Sequence, residues 1–299
     1  MIVEKGRRQQ KLSKWKKFDI AIIGGDRRTA CMAPVFLEKG YRVIACGVSK
    51  TPENANIHQT QELREAVENT AVLVFGIPFE KEGHIFFQEP MPPVSLAELQ
   101  RLLRRHQEIF GGVIPESFRQ HCEEREIGCF DFMKDEALTI FNAIATAEGA
   151  VLEALLHKDT SLHHSECLVL GYGRCGRVLA QKLKGLDARV SVCSRSLKEL
   201  ASAEAMGLST LLLPRLKQEI SSFEYVFNTI PALVLTRDCL KNFPAKGLII
   251  DIASNQGGVD YEAAESLGIP ARYCPGLPGK YAGASSARRL AQYVTDKIS

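Results

Sequence analysis

Residues 166–183 read ECLVLGYGRCGRVLAQKL. An apolar run from Glu166 to Leu170 meets Gly171, Gly173 and Gly176 at GxGxxG spacing, and a helical pattern follows to about Leu183. Strand, glycine turn and helix in that order open a dinucleotide-binding β-α-β unit. The first glycine permits the tight turn, the second lets backbone approach a diphosphate, and the third lets helix and strand pack closely. The diphosphate rests on the helix N-terminus, where unpaired N–H groups and the helix dipole favour negative charge. Gly171, Tyr172, Gly173, Arg174, Cys175 and Gly176 are therefore expected to hold a cofactor.

The next strand, Ala188 to Cys193, ends in Ser194, Arg195 and Ser196. An NAD site usually ends this strand in Asp or Glu, which accepts from the ribose hydroxyls. No carboxylate ends it here. Arg195 can pair with an adenosine 2′-phosphate, and the two serines can donate to it. NADP is expected over NAD. Two later strands end in Asn228-Thr229-Ile230-Pro231 and Asp251-Ile252-Ala253-Ser254. Ligands of an open parallel sheet lie beyond the carboxyl ends of its strands, so Asn228, Thr229, Ile230, Pro231, Asp251, Ala253 and Ser254 are expected near the nicotinamide end.

Around this unit the pattern alternates. Helices are expected at Ser196–Met206 and Arg215–Ser221, strands at Ser209–Leu212, Tyr225–Asn228, Leu248–Asp251 and Ala271–Tyr273, and a terminal helix at Ser285–Lys297. The first half repeats the alternation. Strands are expected at Phe18–Gly25, Tyr41–Cys46, Ala71–Gly76, Ile109–Ile114 and Cys129–Phe132, with helices at Thr29–Lys39, Ser95–His106 and Pro115–Arg125. A long apolar-periodic helix, Ala137–Leu156, joins the halves. The expected fold is α/β: two Rossmann-like parallel-sheet domains, the C-terminal one dinucleotide-binding, joined by a long helix. The expected divisions are a basic tail at 1–17, a substrate and catalytic domain at 18–138, and an NADP-binding domain at 139–299 whose terminal helix can pack back on the first.

The composition fits an ordinary globular protein, with 45% hydrophobic and 24% charged residues among 299. The net charge is +3, and much of the excess sits at Lys5, Arg7, Arg8, Lys11, Lys14, Lys16 and Lys17 against Glu4. A nucleic-acid partner is therefore not expected. No run of 18 apolar residues occurs, so no membrane span is expected, and the basic start lacks the apolar core of a secretory signal. The nine cysteines are odd in number and form no CxxC, and several fall in apolar strand patterns, which suits a reducing cytosol. No metal site is expected, and His163-His164 reads as a surface turn.

The motifs GYGRCGR, SRS, NTIP, DIAS and PGLPGKYAG, with GGDRR near the start and FNAIATAEG in the linking helix, occur in an order and spacing similar to the dipicolinate synthase A-chain family. The resemblance is continuous from about Asp19 to the C-terminus. It implies an oxidoreductase that works with a flavoprotein-like B subunit. The pair would use NADP to oxidise dihydrodipicolinate to dipicolinate, pyridine-2,6-dicarboxylate, in the mother-cell cytoplasm during sporulation. A homo-oligomer is expected. The dicarboxylate substrate calls for cations or N–H groups that clamp it. Asp26, Arg27 and Arg28 follow the first strand, Pro78 and His84 follow the third, and Thr146 and Glu148 lie on the linking helix. Gly279 and Lys280 lie in the PGLPGK stretch, read as a glycine-rich loop. Lys280 and Glu148 are the expected catalytic residues; Asp26, Arg27, Arg28, Pro78, Thr146 and Gly279 are the expected substrate contacts. The residues alone leave open a shikimate-like or 2-hydroxyacid-like NADP dehydrogenase, and a nucleotide-sensing subunit without catalysis.

Overall fold

The computed structural model describes residues 17–48 and 56–299. The basic tail therefore lies, but for Lys17, outside the described residues. The chain divides into two units between Thr139 and Ile140, and the terminal stretch 282–299 belongs to the first.

The first unit is built on β1 (Phe18–Ile23), β2 (Val43–Cys46), β3 (Ile57–Thr60), β4 (Thr70–Phe75), β7 (Glu108–Gly111) and β8 (Gly128–Asp131). These form one sheet in the order β3-β2-β1-β4-β7-β8, with every pairing parallel. A two-stranded hairpin, β5 (Glu80–Lys81) with β6 (His84–Ile85), stands apart. The helices are α1 (Arg27–Glu38), α2 (Leu63–Glu68), α3 (Leu96–Leu102) and α4 (Glu116–Glu124). Helices on both faces bury the central strands completely, which is why β4 is an unbroken TAVLVF rather than an alternating strand. The linking helix, α5 (Glu136–His157), starts in this unit and continues in the next.

The second unit repeats the plan. Its strands are β9 (Glu166–Leu170), β10 (Arg189–Ser194), β11 (Ser209–Leu212), β12 (Tyr225–Asn228), β13 (Leu248–Asp251) and β14 (Ala271–Tyr273), ordered β11-β10-β9-β12-β13-β14 and all parallel. The helices are α6 (Arg174–Gly185), α7 (Leu197–Ala205), α8 (Leu216–Glu219), α9 (Arg237–Leu240), α10 (Tyr261–Ser266) and α11 (Leu277–Tyr281). The terminal helix α12 (Gly283–Ile298) returns to the first unit, where Leu290, Ala291, Val294 and Ile298 share a core with Ile20, Ile22 and Phe36. In both sheets the strand order reverses beside the first strand, at β1/β4 and β9/β12. That is where a doubly wound sheet opens a crevice at its carboxyl end.

The α/β expectation of two Rossmann-like parallel sheets is borne out. The differences are local. The PGLPGK stretch is not a loop: Leu277–Tyr281 is a short helix, entered through Gly276 at φ +68°. Pro278 fits there because the first turn of a helix needs no donor from it. Helix α5 is also long and apolar enough to span a membrane, but 56% of its most apolar window is buried within the protein, and Ala147, Ala150 and Ala154 sit in the second unit's core.

Candidate functional site

The glycine turn sits at the carboxyl end of β9. Gly171 has φ +87°, a left-handed conformation that only glycine adopts without strain. A Cβ there would stand 2.5 Å from Thr229 Oγ1 and 3.1 Å from Ile230 Cγ1, because the end of β12 packs directly against the turn. At Gly176 a Cβ would overlap the Gly171 carbonyl. Gly173 differs: it is exposed and nothing lies within 4 Å of its Cβ position. Two glycines therefore serve protein packing, and the middle one leaves backbone bare. Gly173 is also the N-cap of α6, and no side chain caps that helix. The first turn carries no acid but does carry Arg174 and Arg177. No acid there competes with an anion for the positive end of the helix dipole. These residues form a cradle that fits a dinucleotide diphosphate.

Tyr172 is 2% exposed and contributes its backbone, with Arg177 Nε donating to its carbonyl at 3.0 Å. Cys175 is half-buried, and burial raises its thiol pKa, so it stays protonated. Beside the turn, Gly171 N–H donates to the Cys193 carbonyl at 2.8 Å, which brings the end of β10 alongside. There Arg195 is exposed, whereas Ser194 is buried and Ser196 caps α7. Ser194 Oγ donates to Glu199 Oε2 at 2.6 Å and accepts from Ser196 N–H at 3.1 Å. The hydroxyl of Ser194 is thus fully engaged within the protein, a correction to its expected donation to a phosphate.

Asn228 and Asp251 also need correcting. Both are 0% exposed, so neither side chain can touch a cofactor in this structure. Asn228 Nδ2 donates to Asp251 Oδ1 at 2.9 Å and to the Ile230 carbonyl at 3.1 Å, while its Oδ1 accepts from Ile230 N–H at 3.0 Å. Asp251 accepts from Ala253 N–H at 3.1 Å, Gly258 N–H at 2.7 Å and Tyr261 OH at 2.9 Å. Burial, then the Asp251 carboxylate, push the Tyr261 phenol far up, so it remains a donor. The pair braces the turns after β12 and β13. Ala253 is 3% exposed and belongs to the same scaffold. Thr229 Oγ1 donates to the Leu170 carbonyl at 2.8 Å. Pro231 and Ser254 are exposed, and Ile230 is half-buried.

The expected catalytic residues are each held in an ion pair. Lys280 Nζ donates to Glu153 Oε1 at 2.5 Å, and Tyr281 OH to the same oxygen at 2.7 Å. Glu153 is 3% exposed; His157 Nδ1 lies 3.5 Å from its other oxygen. Burial raises the Glu153 carboxyl, but the hydrogen bonds from Lys280 and Tyr281 and the Lys280 charge outweigh it and hold it below the usual range. The hydrogen bonds to Glu153 and Tyr281 push Lys280 well above the ordinary lysine range. Lys280 is therefore an ammonium at neutral pH, fit to hold a carboxylate and unfit to act as a base. Glu148 is 57% exposed and paired with Lys182 at 2.9 Å. Thr146 donates to the Asn142 carbonyl at 2.8 Å inside its own helix. Gly279 is buried in α11.

In the first unit, Asp26 caps α1, and its carboxylate takes the Arg28 guanidinium at 2.7 Å. Arg28 also donates to the Ile77 carbonyl at 2.6 Å, next to Pro78, and is 5% exposed. Arg28 thus ties the end of β1 to the end of β4. Arg27 is exposed, with its stem against Gly283, and Pro78 is exposed. His84, weighed as an acid–base group, is exposed on β6. Glu199, Arg177 and Glu153 escape a reading of the sequence. The spacing Ser196-x-x-Glu199 is the capping-box pattern and is the one signal that points to Glu199.

Comparison with known proteins bears out the resemblance. Residues 19–133 match the family described as the N-terminal domain of the dipicolinate synthase A chain. The A chain of dipicolinate synthase from Bacillus subtilis (strain 168) is 36% identical over 168 residues, which are 56% of this chain and 56% of that protein. The match thus spans little more than half the length of that curated relative. The crystal structure of the dipicolinate synthase A chain from Bacillus halodurans is similar at TM-score 0.82 and 26% identity, covering 95% of this chain and 99% of that one. L-alanine dehydrogenase shares the fold at TM-score 0.58 and 14% identity, covering 93% of this chain and 87% of that one.

Proposed function

We propose, from the match of residues 19–133 to the N-terminal domain of the dipicolinate synthase A chain, that the chain is the A component of an NADP-dependent dipicolinate synthase. The observation that carries the reading is the bare backbone at Gly173 on an uncapped helix end, with Arg174 and Arg177 in its first turn. NADP, when bound, supplies the hydride acceptor for oxidation of a dihydropyridine dicarboxylate.

The chain's own residues position and exclude. Backbone N–H groups of residues 173–176 bind the diphosphate, and Arg195 holds the 2′-phosphate. The Asn228–Asp251–Tyr261 network fixes the turns carrying Ile230, Pro231 and Ser254 so that they keep one shape against the nicotinamide end. Lys280 holds a substrate carboxylate as an ammonium, oriented by Glu153 and Tyr281. Glu148 takes the ring proton once released from Lys182. In the first unit, Asp26 and Arg28 pair on α1 beside the exposed cation Arg27. Aromatisation drives the reaction, so holding and orienting the partners is the main demand on the protein. The reading places the chain in the mother-cell cytoplasm of a spore-forming bacterium, as a homo-oligomer that acts with a flavoprotein-like B subunit.

Two measurements test this. Calorimetry on the purified chain is expected to show NADP binding that Gly173→Ala weakens. Dipicolinate formation, followed by ultraviolet absorbance with and without the B subunit, is expected to require NADP. Absence of both coenzyme binding and product in the presence of that partner would overturn the reading.

A further inference from the structure

We propose that Glu199 sets the coenzyme preference of this site, its carboxylate opposing the 2′-phosphate that Arg195 attracts. The proposal rests on the dinucleotide reading of Gly171–Gly176 and goes beyond it.

The end of β10 lies directly beside the glycine turn, through Gly171 N–H on the Cys193 carbonyl. Whatever occupies the adenosine end meets the turn 194–196. By sequence that turn is Ser-Arg-Ser, a cation flanked by two hydroxyls. The structure adds a fourth member. Glu199, the third residue of α7, folds back so that Oε2 accepts from Ser194 Oγ at 2.6 Å, while its N–H donates to Ser196 Oγ at 3.3 Å. One hydrogen-bond circuit therefore links Ser194, Ser196 and Glu199, and Ser196 N–H closes it on Ser194 Oγ.

Two consequences follow. Ser194 is buried and its hydroxyl proton is committed to the carboxylate, which leaves Arg195 and the Ser196 hydroxyl to meet an anion. A negative charge also sits in the turn itself. Glu199 is half-buried and makes no ion pair among the described residues, so no cation fixed on it cancels that charge. A ribose diol can donate to such a carboxylate; a phosphate can only be repelled by it. Arg195 is exposed and likewise without an ion pair among the described residues, so it is free to swing to a phosphate. The turn therefore carries one group for each coenzyme, and the balance between them is the specificity.

The test is calorimetric and needs no turnover. NADP, NAD, 2′,5′-ADP and 5′-ADP are titrated into the full chain and into Glu199→Gln, which keeps the Ser194 hydrogen bond and removes only the charge. NADP and 2′,5′-ADP are expected to tighten about tenfold, the effect of one unit charge on a nearby phosphate dianion in water. NAD and 5′-ADP are expected to hold or weaken, and the gain is expected to shrink as salt rises. Arg195→Ala is expected to weaken NADP and 2′,5′-ADP and to spare NAD and 5′-ADP. An unchanged NADP-to-NAD ratio in Glu199→Gln, with both coenzymes binding the parent chain, overturns the proposal and leaves the dinucleotide reading standing. Binding of neither coenzyme to the parent chain overturns both.

Discussion

The three glycines of the turn are not equivalent, and single substitutions separate what each does. Gly176→Ala drives a methyl into the Gly171 carbonyl, so it is expected to destabilise the second unit by about 1–3 kcal/mol, the usual range for overpacking. Gly173→Ala meets nothing within 4 Å and sits at φ −75°, which alanine adopts freely. It is expected to leave the melting temperature unchanged yet cost coenzyme affinity about tenfold or more, because the methyl stands on backbone that must approach a phosphate. A Gly173→Ala variant that lost stability and affinity together would show the turn to be structural only. In the first unit, Arg28→Met removes the partner of a carboxylate only 15% exposed and the donor to Ile77. A loss of about 3 kcal/mol in denaturant stability is expected, since breaking a buried pair strands the other charge. Residues that make a turn were legible in the sequence because glycine spacing is a backbone statement. Residues that brace a turn were not. Asn228 and Asp251 stand at strand ends, where ligand contacts also stand, and only their complete burial distinguishes scaffold from contact.

Among the elements, strands buried on both faces were legible as continuous apolar runs, and the long helix as an uninterrupted apolar period. Those that escaped lack such patterns. β3 carries Ile57 inward but His58 and Gln59 outward, and α10 is a single short helix after an exposed turn. The short helix α11 reads as a loop because Pro278 and Gly279 are poor helix formers. Its shape comes from packing instead, with Leu277 against Gly149 of α5 and both Lys280 and Tyr281 on Glu153. That contact has a pH signature. Glu153 titrates lower when folded than when unfolded, so its stabilisation is present above the unfolded carboxylate pKa and is lost as pH falls through the folded value. Lys280 titrates higher when folded, so its share is present below the ordinary value of 10.5 and is lost as pH rises through the folded value. Denaturation curves of Glu153→Gln across acid pH are expected to be flatter than the parent's. Lys280→Met, which leaves a buried carboxylate with weaker partners, is expected to lose about 1–3 kcal/mol at neutral pH. Turnover is expected to show no lysine deprotonation limb between neutrality and pH 10.5; such a limb abolished by Lys280→Met would reinstate Lys280 as a base.

At the scale of the whole molecule, the chain builds the same sheet order twice, 3-2-1-4-5-6 in each unit, yet only the second carries the glycine cradle. The first unit's equivalent turn, Gly24-Gly25-Asp26, is closed: Cβ positions at both glycines fall on neighbouring atoms, and Asp26 caps the helix end with its own carboxylate. An acid at that helix end repels a diphosphate. Coenzyme binding is therefore expected to stabilise one unit. NADP at about a hundred times its dissociation constant adds about 2.7 kcal/mol to the folded state that binds it. For a unit of this size that raises its melting temperature by about 5–10 °C. Each unit has its own buried cores, so hydrogen exchange can report on each unit separately. With NADP present, amides of β9, β10 and β12 and the first turn of α6 are expected to exchange more slowly, and those of β1, β2 and β4 to keep their rates. Equal protection of β1 and β9 would mean that the closed turn also meets the coenzyme or that the two units open as one. A Gly173→Ala chain, which is expected to bind poorly, separates these cases: protection that persists in β1 while vanishing from β9 assigns a second coenzyme contact to the first unit.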